Sequence, residues 1–335
     1  MKLLINYSKY WLILILFFVR LDIVKAQINI QFSKDVQAHY FSPGELGENL
    51  PADWSTYNFI SLELKTSTPQ RMELILVTDK DTLYKRIHPL QNTWYRLSVP
   101  IGFYRGQPTS GHDMAATWNQ PRKTGFINVE QGGFGPVGIV KTIGVRFKIP
   151  LNNPTVEIKN FKLTTTDAGD EVLEPQKLVD EFGQWIPAEW PGKIKNPDQL
   201  QKDWQKEKNT LKPRFSYSKY GGYLNKTAKA TGFFRVEKID GKWWFVDPEG
   251  HLFLSTGVNG MSPGSSTPTA GRENIFTVLP PDEFRNASKT NANFHAWNLQ
   301  RRFGNDYRKH WAVMALDRTD NWGLTTIANW SDPML

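Results

Sequence analysis

The chain has no cysteine in its 335 residues. That excludes disulfides, thiolate metal sites and thiol nucleophiles, so stability has to come from burial of apolar surface. It also excludes attachment as a lipoprotein. No apolar run approaches the ~20 residues that cross a bilayer. The longest, Trp11–Val19 (WLILILFFV), follows Lys2 and Lys9 and precedes Val24-Lys25-Ala26. This arrangement reads as a secretory signal over residues 1–26, cleaved before Gln27, and leaves no membrane partner afterwards. No dense Lys/Arg block is present. The formal charge of +8 falls by +3 with the signal, leaving about +5, too mild and too dispersed for a nucleic-acid partner. Neither H-x-x-x-H nor H-E-x-x-H occurs among the six histidines, so a helical zinc site is unsupported and no cofactor is expected.

Aromatic residues are plentiful: 13 Trp, 11 Tyr and 20 Phe. Their rings suit carbohydrate C–H surfaces, and they equally suit a packed core. Residues 27–168 read as all-β. Ile60, Leu62 and Leu64 alternate with Ser61, Glu63 and Lys65, and Ile143, Val145, Phe147 and Ile149 alternate with Gly144, Arg146 and Lys148. Further strands are predicted at Met72–Thr78, Thr82–Ile87, Trp94–Val99 and Val156–Leu163. Many short strands with turns between them predict a β jelly-roll, a galactose-binding-like sandwich. The Gly- and Pro-rich stretch 102–138 predicts long loops, with Trp118, Tyr104, Phe134 and His112 as candidate sugar contacts.

Residues 169–222 read as a polar connector that buries little core, with one helix over Asp198–Lys208 starting near Asn196 or Asp198. From 223 onward the pattern changes. Thr231–Ile239, Lys242–Asp247 and His251–Val258 predict three strands, the first two joined by the hairpin signal Asp240-Gly241. A long loop, 259–292, leads to helices over Ala292–Phe303 and Asp306–Thr319. In the second helix Trp311, Ala315 and Leu316 share a face, and a strand at Leu324–Asn329 follows. Strand, loop, helix, strand is the unit of a parallel sheet. In an α/β (TIM) barrel the loop after each strand lies on the active face. The 223–335 stretch holds about 110 residues, against ~250 for a whole barrel, so the barrel is expected to be incomplete at Leu335.

Five blocks carry a family resemblance: Asp180–Gly192 (DEFGQWIPAEWPG), Thr231–Gly257 (TGFFRVEKIDGKWWFVDPEGHLFLSTG), Gly271-Arg272-Glu273, Asn298–Gly304 (NLQRRFG) and Asn321–Pro333 (NWGLTTIANWSDP). In this order they resemble β-agarases of glycoside hydrolase family 50 over roughly 175–335, and the upstream β region resembles, more loosely, the carbohydrate-binding-like domain of those enzymes. The resemblance implies a jelly roll packed on a (β/α)8 barrel and retaining hydrolysis of β-linkages in agarose or its oligosaccharides. It also implies two catalytic glutamates on the fourth and seventh barrel strands, beyond the residues present here.

Retaining glycosidases need two carboxyl groups ~5–5.5 Å apart. The carboxylates of 223–335 read instead as hairpin (Glu237), turn (Asp247, Glu249), turn or cap (Asp332), cap (Asp306) and helix-end (Asp317, Asp320) residues, and Glu273 is expected to pair with Arg272 or another cation. No catalytic residue is therefore assigned. Substrate contact is expected from Asn259, at the end of the first barrel strand, and from Asn329 and Trp330, at the end of the second. Arg272 and Glu273 on the intervening loop and Trp118 on the sandwich complete the expected set. The expected partner is an agarose-like galactan. The competing reading is a carbohydrate-binding protein acting through the jelly roll without catalysis.

Overall fold

The computed structural model describes residues 27–106, 125–130, 132–212 and 215–335. The expected signal at 1–26, Trp118 and His112 lie outside the described residues.

Residues 28–172 form two five-stranded antiparallel sheets packed face to face. The first comprises β1 (Ile28–Gln31), β3 (Phe59–Thr66), β6 (Tyr95–Pro100), β9 (Thr155–Thr164) and β10 (Glu171–Val172), in the order β1-β9-β3-β6-β10. The second comprises β2 (Ala38–Phe41), β4 (Met72–Thr78), β5 (Thr82–Ile87), β7 (Val129–Glu130) and β8 (Val140–Arg146), in the order β2-β8-β4-β5-β7. Period-2 alternation builds the core between them, where Ile60, Leu62 and Leu64 meet Leu74, Leu76, Ile143 and Val145. The central strand β4 is buried on both faces. Its Glu73 is a buried carboxylate, held by Arg146 Nε at 2.6 Å. Two sequence expectations fail here. Ile149 lies past the end of β8 and is 74% exposed. Tyr104 is no sugar contact: it is fully buried and its hydroxyl donates to the Leu74 carbonyl at 3.0 Å.

The connector is more than a drape. Leu178 and Val179 are buried with Ile275, Phe276, Ala292 and Phe294 in a separate apolar cluster, and Leu178 N donates to Ile275 O at 2.7 Å. It is also tied to the sandwich, because Trp185 Nε1 donates to Gln91 O at 2.9 Å. The predicted helix spans Pro197–Thr210, with Asn196 as N-cap accepting from Gln199 N at 2.9 Å.

Beyond the connector, β11 (Tyr223–Thr227), β12 (Arg235–Ile239), β13 (Lys242–Val246) and β14 (His251–Phe253) form an antiparallel sheet in the order β11-β14-β13-β12. Asp240 and Gly241 both adopt positive φ, 52° and 78°, as a two-residue hairpin of this kind demands. The single strand predicted over His251–Val258 is two: β14 ends at Phe253, and β15 (Gly257–Val258) pairs parallel with β18 (Thr326–Ile327). Gly257 is required there, since a Cβ would sit 1.9 Å from Thr326 O. The long loop folds on itself through β16 (Thr267–Pro268) and β17 (Asn291–Ala292). Helices Phe294–Phe303 and Tyr307–Asn321 follow, packed through Leu299, Trp311, Ala312, Met314 and Ala315. Leu316, expected on that buried face, points outward at 42% exposure.

Candidate functional site

The parallel pair β15–β18 decides where the expected site residues go. Thr326 N donates to Thr256 O at 3.0 Å, Ala328 N to Val258 O at 2.9 Å, and Gly260 N to Asn329 O at 2.9 Å. The ladder carries past the strands, so both chains leave the sheet side by side. Asn259 and the Asn329-Trp330 pair are thus brought to one edge, the carboxyl end of both strands. Past that edge Asp332 N donates to Met261 O at 2.8 Å and Arg308 Nη2 pairs with Asp332 at 2.7 Å, which holds the two exits together.

Each side chain at this edge is open to solvent. Asn329 Oδ1 accepts from Trp330 N at 3.0 Å, which turns the backbone locally. Trp330 sits at φ 63° with its ring 81% exposed. An exposed Trp in left-handed backbone costs on the order of 1 kcal/mol with no packing in return. Asn259 is exposed, and its side chain makes no hydrogen bond among the described residues. Two asparagines and a bare indole at one edge offer donors, acceptors and an apolar plane, groups that a sugar ring can engage.

Arg272 and Glu273 lie apart from that edge group. Arg272 turns toward the sandwich: its guanidinium lies 4.7 Å from the centre of the Phe126 ring and Nη1 donates to Phe126 O at 3.3 Å. Burial pulls its pKa below the ordinary arginine value, against the opposing pull of Asp170 and Glu273. Glu273 opens a short 3-10 turn and is exposed. The expected Arg272–Glu273 pairing is electrostatic only, with no ion pair formed between them.

The other carboxylates are engaged locally. Glu237 pairs with Arg235 at 2.6 Å, Glu249 with Lys219 at 3.1 Å, and Asp282 with Lys289 at 2.5 Å. Asp332 also accepts from Met334 N at 3.0 Å, the turn role expected of it. Asp306 is the N-cap residue of the last helix, without a side-chain capping bond. Asp247 is wholly buried, accepting from Glu249 N, His251 N and Ser218 Oγ. Ser218, Asp247 and His251 are the residue types of a hydrolytic triad in the wrong order. The serine proton is directed at the aspartate, so the imidazole cannot act as its base.

A second serine has the spacing of a nucleophile elbow, Gly260-Met261-Ser262-Pro263-Gly264, but no helix follows it. Ser262 Oγ accepts from Gly264 N at 3.0 Å inside an exposed loop, so the strand–turn–helix that creates an elbow is missing. Among the described residues no group of three His, Asp or Glu is placed to hold a metal ion.

Two features escaped sequence reasoning. One is an apolar groove of about 390 Å³ lined by Tyr217, Tyr223, Trp244 and Leu252. Its only signal was the aromatic density of the strands. The other is a recess of about 270 Å³ between the sandwich and the 271–275 turn.

No family model matches the chain. Two solved structures share its fold: the crystal structure of an agarase, AgWH50C, at TM-score 0.52 and 23% identity, covering 88% of this chain and 48% of that one, and PfGH50B, at TM-score 0.51 and 24% identity, covering 92% and 50%. These likenesses, both below 25% identity, concern the fold alone. Among curated sequences, β-agarase B of Vibrio sp. (strain JT0107) is 29% identical over 347 residues, 85% of this chain and 36% of its own length. β-Agarase A of the same strain is 27% identical over 187 residues, 48% of this chain and 19% of its own length. The chain is thus similar over most of its length to β-agarase B, and its fold is shared with the two solved structures. It spans about a third of the length of the longer-matching curated relative.

Proposed function

We propose that this chain forms the N-terminal, sugar-binding portion of a secreted glycoside hydrolase that cleaves β-linkages of agarose or a related galactan with retention. In this reading the sandwich is a jelly roll of the galactose-binding type and residues 1–26 direct secretion. Residues 223–335 begin a (β/α)8 barrel, with Gly257–Val258 and Thr326–Ile327 as its first two parallel strands. Asn259, Asn329 and Trp330 then occupy the carboxyl ends of barrel strands, the face on which barrel enzymes bind substrate. Trp330 stacks on a sugar ring and the two amides bond its hydroxyls. Arg272 and Glu273, on the loop after the first strand, and Trp118 are secondary contacts. The two carboxyl groups that retention requires, ~5–5.5 Å apart, come from later strands of the same barrel. Asp247 and Asp332 are both committed to local bonds and are not assigned that role.

The observation that carries this reading is the hydrogen-bonded strand exit, Gly260 N to Asn329 O at 2.9 Å, which gathers Asn259, Asn329 and Trp330 at one edge in a chain related to β-agarase B. Affinity electrophoresis through agarose tests it. The purified chain is expected to be retarded in agarose relative to polyacrylamide of equal sieving, and the double variant Asn329→Ala, Trp330→Ala is expected to migrate freely. Equal mobility of wild type and variant removes the strand-end site.

A further inference from the structure

The recess of about 270 Å³ between the sandwich and the 271–275 turn is close to the lower end of the roughly 300–1,000 Å³ typical of ligand sites, and it lies at a junction between structural regions, where such sites concentrate. Its walls are built by fixed residues. Asp170 is buried and accepts from Ser98 N at 2.9 Å, Phe126 N at 2.8 Å and Ile127 N at 3.0 Å, which clamps the backbone on which Phe126 sits. The Phe126 ring and carbonyl in turn hold the Arg272 guanidinium. On the opposite wall Arg96 donates through Nε to Gly169 O at 2.9 Å and pairs with Glu171. Arg96 is thereby held by two bonds. Arg272 is less engaged: among the described residues its single hydrogen bond is the long one to Phe126 O, although the guanidinium is rich in donors. The Asn274 amide, exposed at the rim, makes no side-chain bond at all among the described residues.

We propose that this recess is a second saccharide subsite, distinct from the strand-end group, that takes one neutral sugar residue of the galactan. The chemistry favours a neutral polyol. Among the described residues two guanidinium groups face two carboxylates, so these walls carry no net charge, while Arg272 and Asn274 supply unengaged donors and Glu171 supplies an acceptor. Ala168, Val172 and Ile275 contribute apolar wall for the ring C–H face. The subsite joins the sandwich to the loop that follows β15, so a chain bound there would be held by both regions.

The inference rests on the galactan reading, and its test separates the two. An agarose-derived tetrasaccharide is titrated calorimetrically into the full chain, wild type and the variants Arg272→Gln, Asn274→Ala and Trp330→Ala, with melting curves alongside. Arg272→Gln is expected to weaken binding about tenfold or more, the effect of removing a charged donor. Asn274→Ala, an exposed residue without internal bonds, is expected to weaken binding about threefold with an unchanged melt. Should Arg272→Gln unfold, Asn274→Ala decides alone. Wild-type affinity in both recess variants overturns the subsite. If Trp330→Ala still weakens binding in that case, the strand-end reading survives. No uptake of tetrasaccharide by the wild type overturns both.

Discussion

The Gly260 amide donates to the Asn329 carbonyl at 2.9 Å across the exits of two parallel strands separated by almost seventy residues of sequence. This bond sets the spacing between the two exposed asparagines and fixes the backbone that presents Trp330. Because Trp330 is 81% exposed, Trp330→Ala should change stability by less than about 0.5 kcal/mol. Galactan affinity should fall roughly tenfold, as for an aromatic anchor. Thermal melts and agarose affinity electrophoresis measured on one preparation check both parts.

Asp247 tests the claim that the Ser-Asp-His group is structural. It holds the turn at Pro248–Gly250 through Glu249 N and His251 N and closes on Ser218 Oγ. Burial alone would raise its pKa, but the Ser218 and His251 donors outweigh burial and hold it below the usual aspartate value. Asp247→Ala leaves these donors unpaired and should cost about 2–4 kcal/mol in urea unfolding. Ser218→Ala should cost only about 1 kcal/mol. A catalytic role would show the opposite: intact folding with activity lost.

Lys85 lies at zero exposure in β5, with Nζ donating to Gly133 O at 3.0 Å. Burial lowers its pKa to about 8, from an ordinary value near 10.4. The unfolded chain therefore binds more protons than the native one between these values. The contribution of Lys85 to stability is greatest above pH ~10.4 and is lost as pH falls through about 8. Lys85→Met should flatten the melting temperature across this window and raise it at pH 7. A variant that keeps the wild-type slope contradicts the assignment.

Glu207 joins three helices. It accepts from Arg302 at 2.7 Å and from Arg318 at 2.5 Å, bridging the connector helix to the last two helices. Burial pushes its pKa up, and the two guanidinium groups more than offset it, so the carboxyl sits below the usual glutamate value. Its stabilisation is present above that usual value and is lost as pH falls through the lowered one. Glu207→Gln should cost about 1–2 kcal/mol at neutral pH, from the loss of a partly buried pair. Denaturant unfolding of the variant and the wild type at pH 7 and at successively lower pH measures the difference and its narrowing in acid.

Much of the fold was legible because period-2 and period-3.6 patterns report burial directly. Met72–Thr78, the Asp240-Gly241 hairpin and the Asn196-capped helix follow from local residue chemistry alone. Errors arose where tertiary context overrides pattern. Tyr104 looks like a loop aromatic but finds the Leu74 carbonyl in the core, and Ile149 continues an alternation after its strand has ended. The edge formed by Asn259, Asn329 and Trp330 could be anticipated because strand ends are read from sequence. The recess around Arg272 could not, since Asp170, Phe126 and Arg272 converge only through long-range packing.

The most direct measurement is a crystal structure of the full chain soaked with an agarose-derived oligosaccharide. The account predicts a sugar ring stacked on the Trp330 indole, with its hydroxyls within hydrogen-bond reach of the Asn259 and Asn329 amides. An oligosaccharide bound only to the outer faces of the two-sheet sandwich, with Trp330 bare, would contradict it.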